Sequence, residues 1–194
     1  MRQLKAPTYS FVILTFILIL VNTALAYASA KLIPSNAAGI AYIFPAVAFM
    51  IIFTLWFGGY GAIAAYAGTL VGSGLLASEP LAKNPQIAVL WAIAGLLQVI
   101  IPLVAARSFE VDLALENRRD LSIIIIFAVI VNNLVGAAWG AWTLGLVEPG
   151  EMVSIFSAWL IGNVIVTLIL VPICLKVFTP KVAKSRLFVK NYWY

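Results

Sequence analysis

Residues 121–175 hold two apolar runs, LSIIIIFAVIVNNLVGAAWGAWTLGLV and VSIFSAWLIGNVIVTLILVPICL, separated only by the break EPGEM. Each exceeds the ~20 apolar residues that an α-helix needs to cross a bilayer. Inside lipid the backbone has to satisfy its own hydrogen bonds, so runs of this kind are helical. The runs are not purely apolar, however. Asn132 and Asn133 sit near the middle of the first and Asn163 near the middle of the second, with Trp139, Trp142 and Trp159 toward the shared turn. A hairpin facing only lipid has no use for amides at mid-depth, so these side chains face protein, water or a ligand.

Six runs reach spanning length: residues 9–30, 37–57, 59–77, 86–106, 121–147 and 152–176. The expected fold is an all-α polytopic membrane protein with six transmembrane helices over residues 1–178. A basic, aromatic tail, 179–194, follows. Only 10% of the residues are charged, against about 25% in soluble domains, and all of them fall outside the cores of these runs. With six spans, Arg2, Lys5, Arg107, Arg118, Arg119, Lys176, Lys181, Lys184, Arg186 and Lys190 share one side, and only Lys31 and Lys83 lie on the other. Ten of the 12 basic residues on one side place both termini in the cytoplasm of a plasma-membrane protein. That bias also explains the net charge of +5 without nucleic acid. A second reading of the N-terminus stays open: Arg2 and Lys5, FVILTFILILV and Ala28-Ser29-Ala30 have the layout of a cleavable signal peptide, whose removal would leave five spans. The tail, with Leu187, Phe188, Tyr192, Trp193 and Tyr194 among its basic residues, suits a segment lying on the cytoplasmic face of the bilayer.

The chain has no histidine and one cysteine, Cys174, and its carboxylates avoid the apolar cores. The commonest general base and metal ligand are therefore missing, and no enzyme activity, metal or cofactor is expected. The absence of an intramembrane carboxylate also argues against an ion-driven carrier.

Polar and aromatic residues fall into stripes. Trp91 and Gln98 share a helical face with Gly95 between them; Asn132, Gly136, Trp139 and Thr143 form a second stripe; Trp159, Asn163 and Thr167 form a third at successive i,i+4 positions. On all three the tryptophan lies nearer the outer surface than the amide. Two readings follow. One is a ligand pocket open to the outside, lined by Trp91, Gln98, Asn132, Trp139, Trp159 and Asn163, taking a small neutral or aromatic solute. Glu79, Glu148 and Glu151 on the outer loops stand ready for a cationic group. The other is packing, with tryptophans as an interfacial belt and amides as ties between helices. Asn22 joins either set, and Trp142, off the stripe, belongs to the belt. Small residues recur at helix-packing spacing in Ala64, Gly68 and Gly72, and in Gly136 and Gly140. Pro45, Pro102 and Pro172 fall inside expected spans and predict kinks.

Six spans, this length, both ends inside and an outward aromatic pocket resemble the substrate-binding S component of an energy-coupling-factor (ECF) transporter. The resemblance implies a membrane scaffold subunit and cytoplasmic ATPases as partners, with import of the captured solute. It also implies a docking pattern of alanines on the first helix, matched in spacing by Ala24/Ala28 and Ala26/Ala30 in that helix's outer half. Pro45, the FGGYG turn, Gly68, RRDLSIIIIF (118–127) and WLIGNVIVTLILVP (159–172) are locally similar to MASE1-type membrane sensor domains. That similarity implies a signal-binding module acting on a separate transducer. A structural subunit of a membrane complex is a third class that needs no pocket.

Overall fold

The computed structural model describes residues 8–35 and 41–193. Arg2, Lys5, Tyr194 and the opening residues of the run 37–57 lie outside that set. The described residues are helical apart from short connections: α1 (Tyr9–Leu32), α2 (Pro45–Phe57), α3 (Gly59–Gly68) continuing as a π-helix through Thr69–Leu75, a short α4 (Glu79–Lys83), α5 (Pro85–Ser108), α6 (Arg118–Ile124), a second π-helical stretch (Ile125–Val131), α7 (Asn132–Leu144) and α8 (Met152–Val182). Four of these helical units are long and apolar enough to cross a membrane: Tyr9–Leu32, Pro85–Ser108, Arg118–Leu144 and Met152–Val182. The chain is thus an all-helical, multi-pass membrane protein.

The expected second span begins later than the sequence indicated. Residues 41–44 are not helical, and α2 starts at Pro45. Proline has no N–H and a fixed φ, so it suits the first turn of a helix, where its N–H would have had no partner. The next N–H, of Ala46, is taken up by Ser29 Oγ of α1 at 3.3 Å. Pro45 is therefore a start signal, not a kink. At 13 residues α2 is about 20 Å long, short of a hydrocarbon layer of ~30 Å. It sits in the centre of the bundle against α1, α3, α5 and α8, and Met50, Ile51, Ile52 and Leu55 are fully enclosed. By contrast, Pro102 and Pro172 lie within continuous helices.

Small residues decide how closely α1 meets α3. A Cβ on Gly68 would lie 2.9 Å from the backbone carbon of Asn22, and one on Gly72 would lie 2.9 Å from Ala26 Cβ. Lipid offers helices no hydrophobic drive to associate, so this close approach supplies van der Waals contact instead. Ala26 is buried in the same contact, whereas Ala24 is exposed.

The end of the bundle that carries the α2–α3 turn is tied by the tail. Gly58, at φ +61°, turns the chain, and Gly59 N–H donates to the Tyr192 carbonyl at 2.8 Å while Val189 N–H donates to the Trp56 carbonyl at 2.9 Å. Arg107, at the end of α5, donates to the carbonyls of Leu55, Val189 and Asn191. The indole of Trp56 donates to Thr179 Oγ1 of α8 at 3.0 Å. The tail thus packs on the protein, with Val189 fully buried, and α8 runs on to Val182 rather than ending near 178. The connection before α6 is folded too. Asn117 and Asp120 cap each other's ends of the first turn, and Val111, Leu113 and Leu115 enter the core.

Gly72→Leu is expected to destabilise the bundle by about 1–3 kcal/mol through overpacking, read as a lower unfolding midpoint in detergent. Val153→Ala, at a position 81% exposed, serves as the unaffected control. Arg107→Ala should release the tail, so that trypsin cuts after Lys184, Arg186 or Lys190 in the folded variant but not in the parent.

Candidate functional site

A cavity of about 410 Å³ opens at the end of the bundle away from the tail, within the size range of small-molecule sites. It gathers one end of nearly every helix: Ala30 from α1, Ala41 and Phe44 from the connection into α2, Ser73 and Ala77 from the end of the α3 unit, Ser78 to Leu81 around α4, Trp91 from α5, Leu144 from α7, Glu148 and Glu151 from the next turn, and Trp159 and Asn163 from α8. Lys31 and Lys83 are the basic residues of this end, whereas Arg107, Lys176 and Lys181 belong to the opposite one.

The six residues singled out from the sequence divide into two groups. Trp91, Trp159 and Asn163 line the cavity. The Trp91 and Trp159 rings pack edge to face, with centroids 5.6 Å apart, and neither indole Nε1 has an acceptor among the described residues. Asn163 is 3% exposed; its backbone carbonyl accepts from Thr167 Oγ1 at 2.7 Å, while its side-chain amide, in the cavity wall, makes no hydrogen bond to the described protein. Glycine makes room for these groups: a Cβ on Gly140 would lie 2.6 Å from the Trp159 ring, and one on Gly162 would press on the Tyr42 carbonyl, the segment that brings Ala41 and Phe44 to the cavity.

Gln98, Asn132 and Trp139 lie elsewhere. Gln98 Nε2 donates to Asn133 Oδ1 at 2.8 Å, and Asn133 Nδ2 donates to Thr167 Oγ1 at 2.9 Å and to the Val129 carbonyl at 2.8 Å. Asn132 Nδ2 donates to the Gln98 carbonyl at 3.2 Å. These side chains are at most 3% exposed and stitch α5, α7 and α8 together beneath the cavity. Gly136 seats the Gln98 side chain, since a Cβ there would lie 2.5 Å from Gln98 Cδ. Trp139 is half-buried at the edge; its Nε1 donates to the Leu90 carbonyl at 2.8 Å and its ring meets Trp142. The structure therefore assigns the packing role to these three and the cavity to the other three. Asn133, left out of the sequence-derived set, is the hub of the tie, because it faces both α5 and α8. Ser73, Phe44 and Leu81 are further cavity residues that periodicity did not single out; Pro45, read as a helix start, would have exposed the 41–44 segment.

The charged rim has one satisfied pair. Lys83 Nζ lies 2.6 Å from Glu79 Oε1; that hydrogen bond and the charge of Lys83 hold the Glu79 carboxyl below its ordinary range. Among the described residues no three His, Cys, Asp or Glu side chains are grouped as metal ligands. Chemically the site can enclose an apolar or aromatic body and hydrogen-bond it through Asn163. Comparison with models of known families, with curated proteins and with solved structures gave no match.

Asn133→Leu removes the hub and leaves Gln98 and Thr167 short of a partner. It should cost about 1–3 kcal/mol of stability, measured by thermal unfolding, while affinity of the folded variant for any cavity ligand stays within about twofold.

Proposed function

We propose that the protein captures a small, neutral or aromatic organic solute from outside the cell and presents it for ATPase-driven uptake, in the manner of the S components that its sequence resembles. In this reading the chain makes six passes of the plasma membrane, with α2 and the α3 unit as two short inner passes, and both termini are cytoplasmic. The cavity then opens outward, because the basic residues concentrate at the opposite end. A membrane scaffold subunit and cytoplasmic ATPases are the implied partners, since the long helices hold no carboxylate at mid-depth to couple an ion. The one carboxylate within them, Asp120, sits in the first turn of its helix and is bonded by Asn117 and by the Asp112 N–H.

The observation that carries the reading is the cavity of about 410 Å³ walled by Trp91, Trp159 and Asn163, where the two buried indole N–H groups have no acceptor among the described residues. A buried polar group without a partner costs stability, and two such groups on one cavity wall are available to a ligand. A second reading, a sensor acting on a separate transducer, draws on the other end: the FGGYG turn that carries the MASE1 similarity is the turn to which the tail is hydrogen-bonded through Gly59 and Tyr192.

Mass spectrometry of small molecules retained by gently purified protein tests solute capture directly. Asn163→Leu should abolish retention while the unfolding midpoint stays near that of the parent, because the substitution breaks no side-chain bond among the described residues. Retention unchanged by Asn163→Leu would remove α8 from the site. Co-purified ATPases support import; a co-purified kinase or cyclase supports sensing.

A further inference from the structure

We infer that the cavity selects an organic cation: an aromatic body packed against the wall formed by Trp91 and Trp159, carrying a positively charged nitrogen that meets Glu148 and Glu151. The inference rests on the capture reading above and narrows its ligand class.

Three of the seven acidic residues in the chain, Glu79, Glu148 and Glu151, line this one cavity, and no lysine or arginine does. Glu79 is already engaged by Lys83 on the exposed turn of α4, and Lys31 adds to the positive field around it. Glu148 and Glu151, partly buried on the α7–α8 turn, have no ion-pair partner among the described residues, where the two pairs are Lys83–Glu79 and Arg119–Asp120. Partly buried carboxylates beside apolar walls act in a lower effective dielectric than exposed ones, so their field in the cavity is less screened.

Acidic side chains at a rim would not by themselves define a site. The wall supplies independent observations. Trp91 and Trp159 offer the π-surfaces that attract a cation most strongly among the aromatic residues. Asn163, 3% exposed and on the cavity wall, has a side-chain amide that makes no hydrogen bond among the described residues and can accept from an ammonium N–H or bond a second polar group on the ligand. Phe44, Leu81 and Leu144 complete an apolar lining for the body. Carboxylates, indole faces and a free amide on one cavity form a recognition set for a cation with an aromatic or apolar body. An anion would be repelled by Glu148 and Glu151, and a neutral solute would leave those carboxylates unused.

The test is calorimetric titration of the full-length protein in detergent with tryptamine, which is cationic at pH 7, and with tryptophol, in which a hydroxyl replaces the ammonium. Tryptamine is expected to bind about tenfold more tightly than tryptophol. The double variant Glu148→Gln/Glu151→Gln should cut that preference to about twofold while leaving the unfolding midpoint unchanged. Equal affinity of the two probes for the parent, or a preference that survives the double variant, overturns the cation inference and leaves solute capture standing. Binding of neither probe also overturns it; retention of some other small molecule, read by mass spectrometry, then keeps solute capture alive, and an empty spectrum removes both.

Discussion

A polar side chain inside a hydrocarbon layer has no water to bond, so it is costly unless the protein or a ligand supplies a partner. On α8 one such side chain is bonded within the bundle and another lies on the cavity wall. Thr167 of α8 accepts from Asn133 and donates to the Asn163 carbonyl, closing the tie that joins α5, α7 and α8. One turn earlier, the Asn163 side chain takes no part in that tie. The same constraint that fixes the register of three helices therefore leaves one amide to the cavity above them. The individual bonds are modest, about 0.6 kcal/mol each in membrane proteins, but they are directional. They hold α5, α7 and α8 so that Trp91 and Trp159 meet edge to face.

The cavity exists because the centre of the bundle is filled by a helix too short to reach that end. α2 begins at Pro45, several residues into the apolar run that contains it, and residues 41–44 just before it are not helical. Gly162 lets the Tyr42 carbonyl approach α8, which brings Phe44 and Ala41 to the wall. At its other end α2 is held firmly. Arg107 bonds the Leu55 carbonyl and two tail carbonyls, and Trp56 bonds Thr179. Tail, turn and α8 form one connected end, opposite the open one. α8 lines the cavity through Trp159 and Asn163 and carries the fixed end as well.

Much of the fold could be read along the chain. The apolar runs at 9–30, 86–106, 121–147 and 152–176 correspond to the four long helices within a few residues, because a backbone in lipid has no alternative to the helix. The stripes of Trp91 and Gln98, and of Trp159, Asn163 and Thr167, are real faces that point inward. Sequence reading misjudged the run at 37–57, where apolar composition masked the start signal at Pro45. In the tail, composition does not tell which residues meet protein: Val189 is fully buried, while Tyr192 and Trp193 are 42% and 44% exposed.

Periodicity along one helix says which residues share a face, and composition says whether that face can lie in lipid; helical class, inward amides and the asymmetric spread of basic residues follow from these local properties. Whether an amide on that face is consumed or left open depends on what stands opposite. Gln98 and Asn163 look alike in the sequence, each a turn or two below a tryptophan. Asn133 stands within 2.8 Å of Gln98, and nothing in the described protein bonds the side chain of Asn163. Only the packing of separate helices creates that difference, because a hydrogen bond between them requires a distance that no single segment encodes.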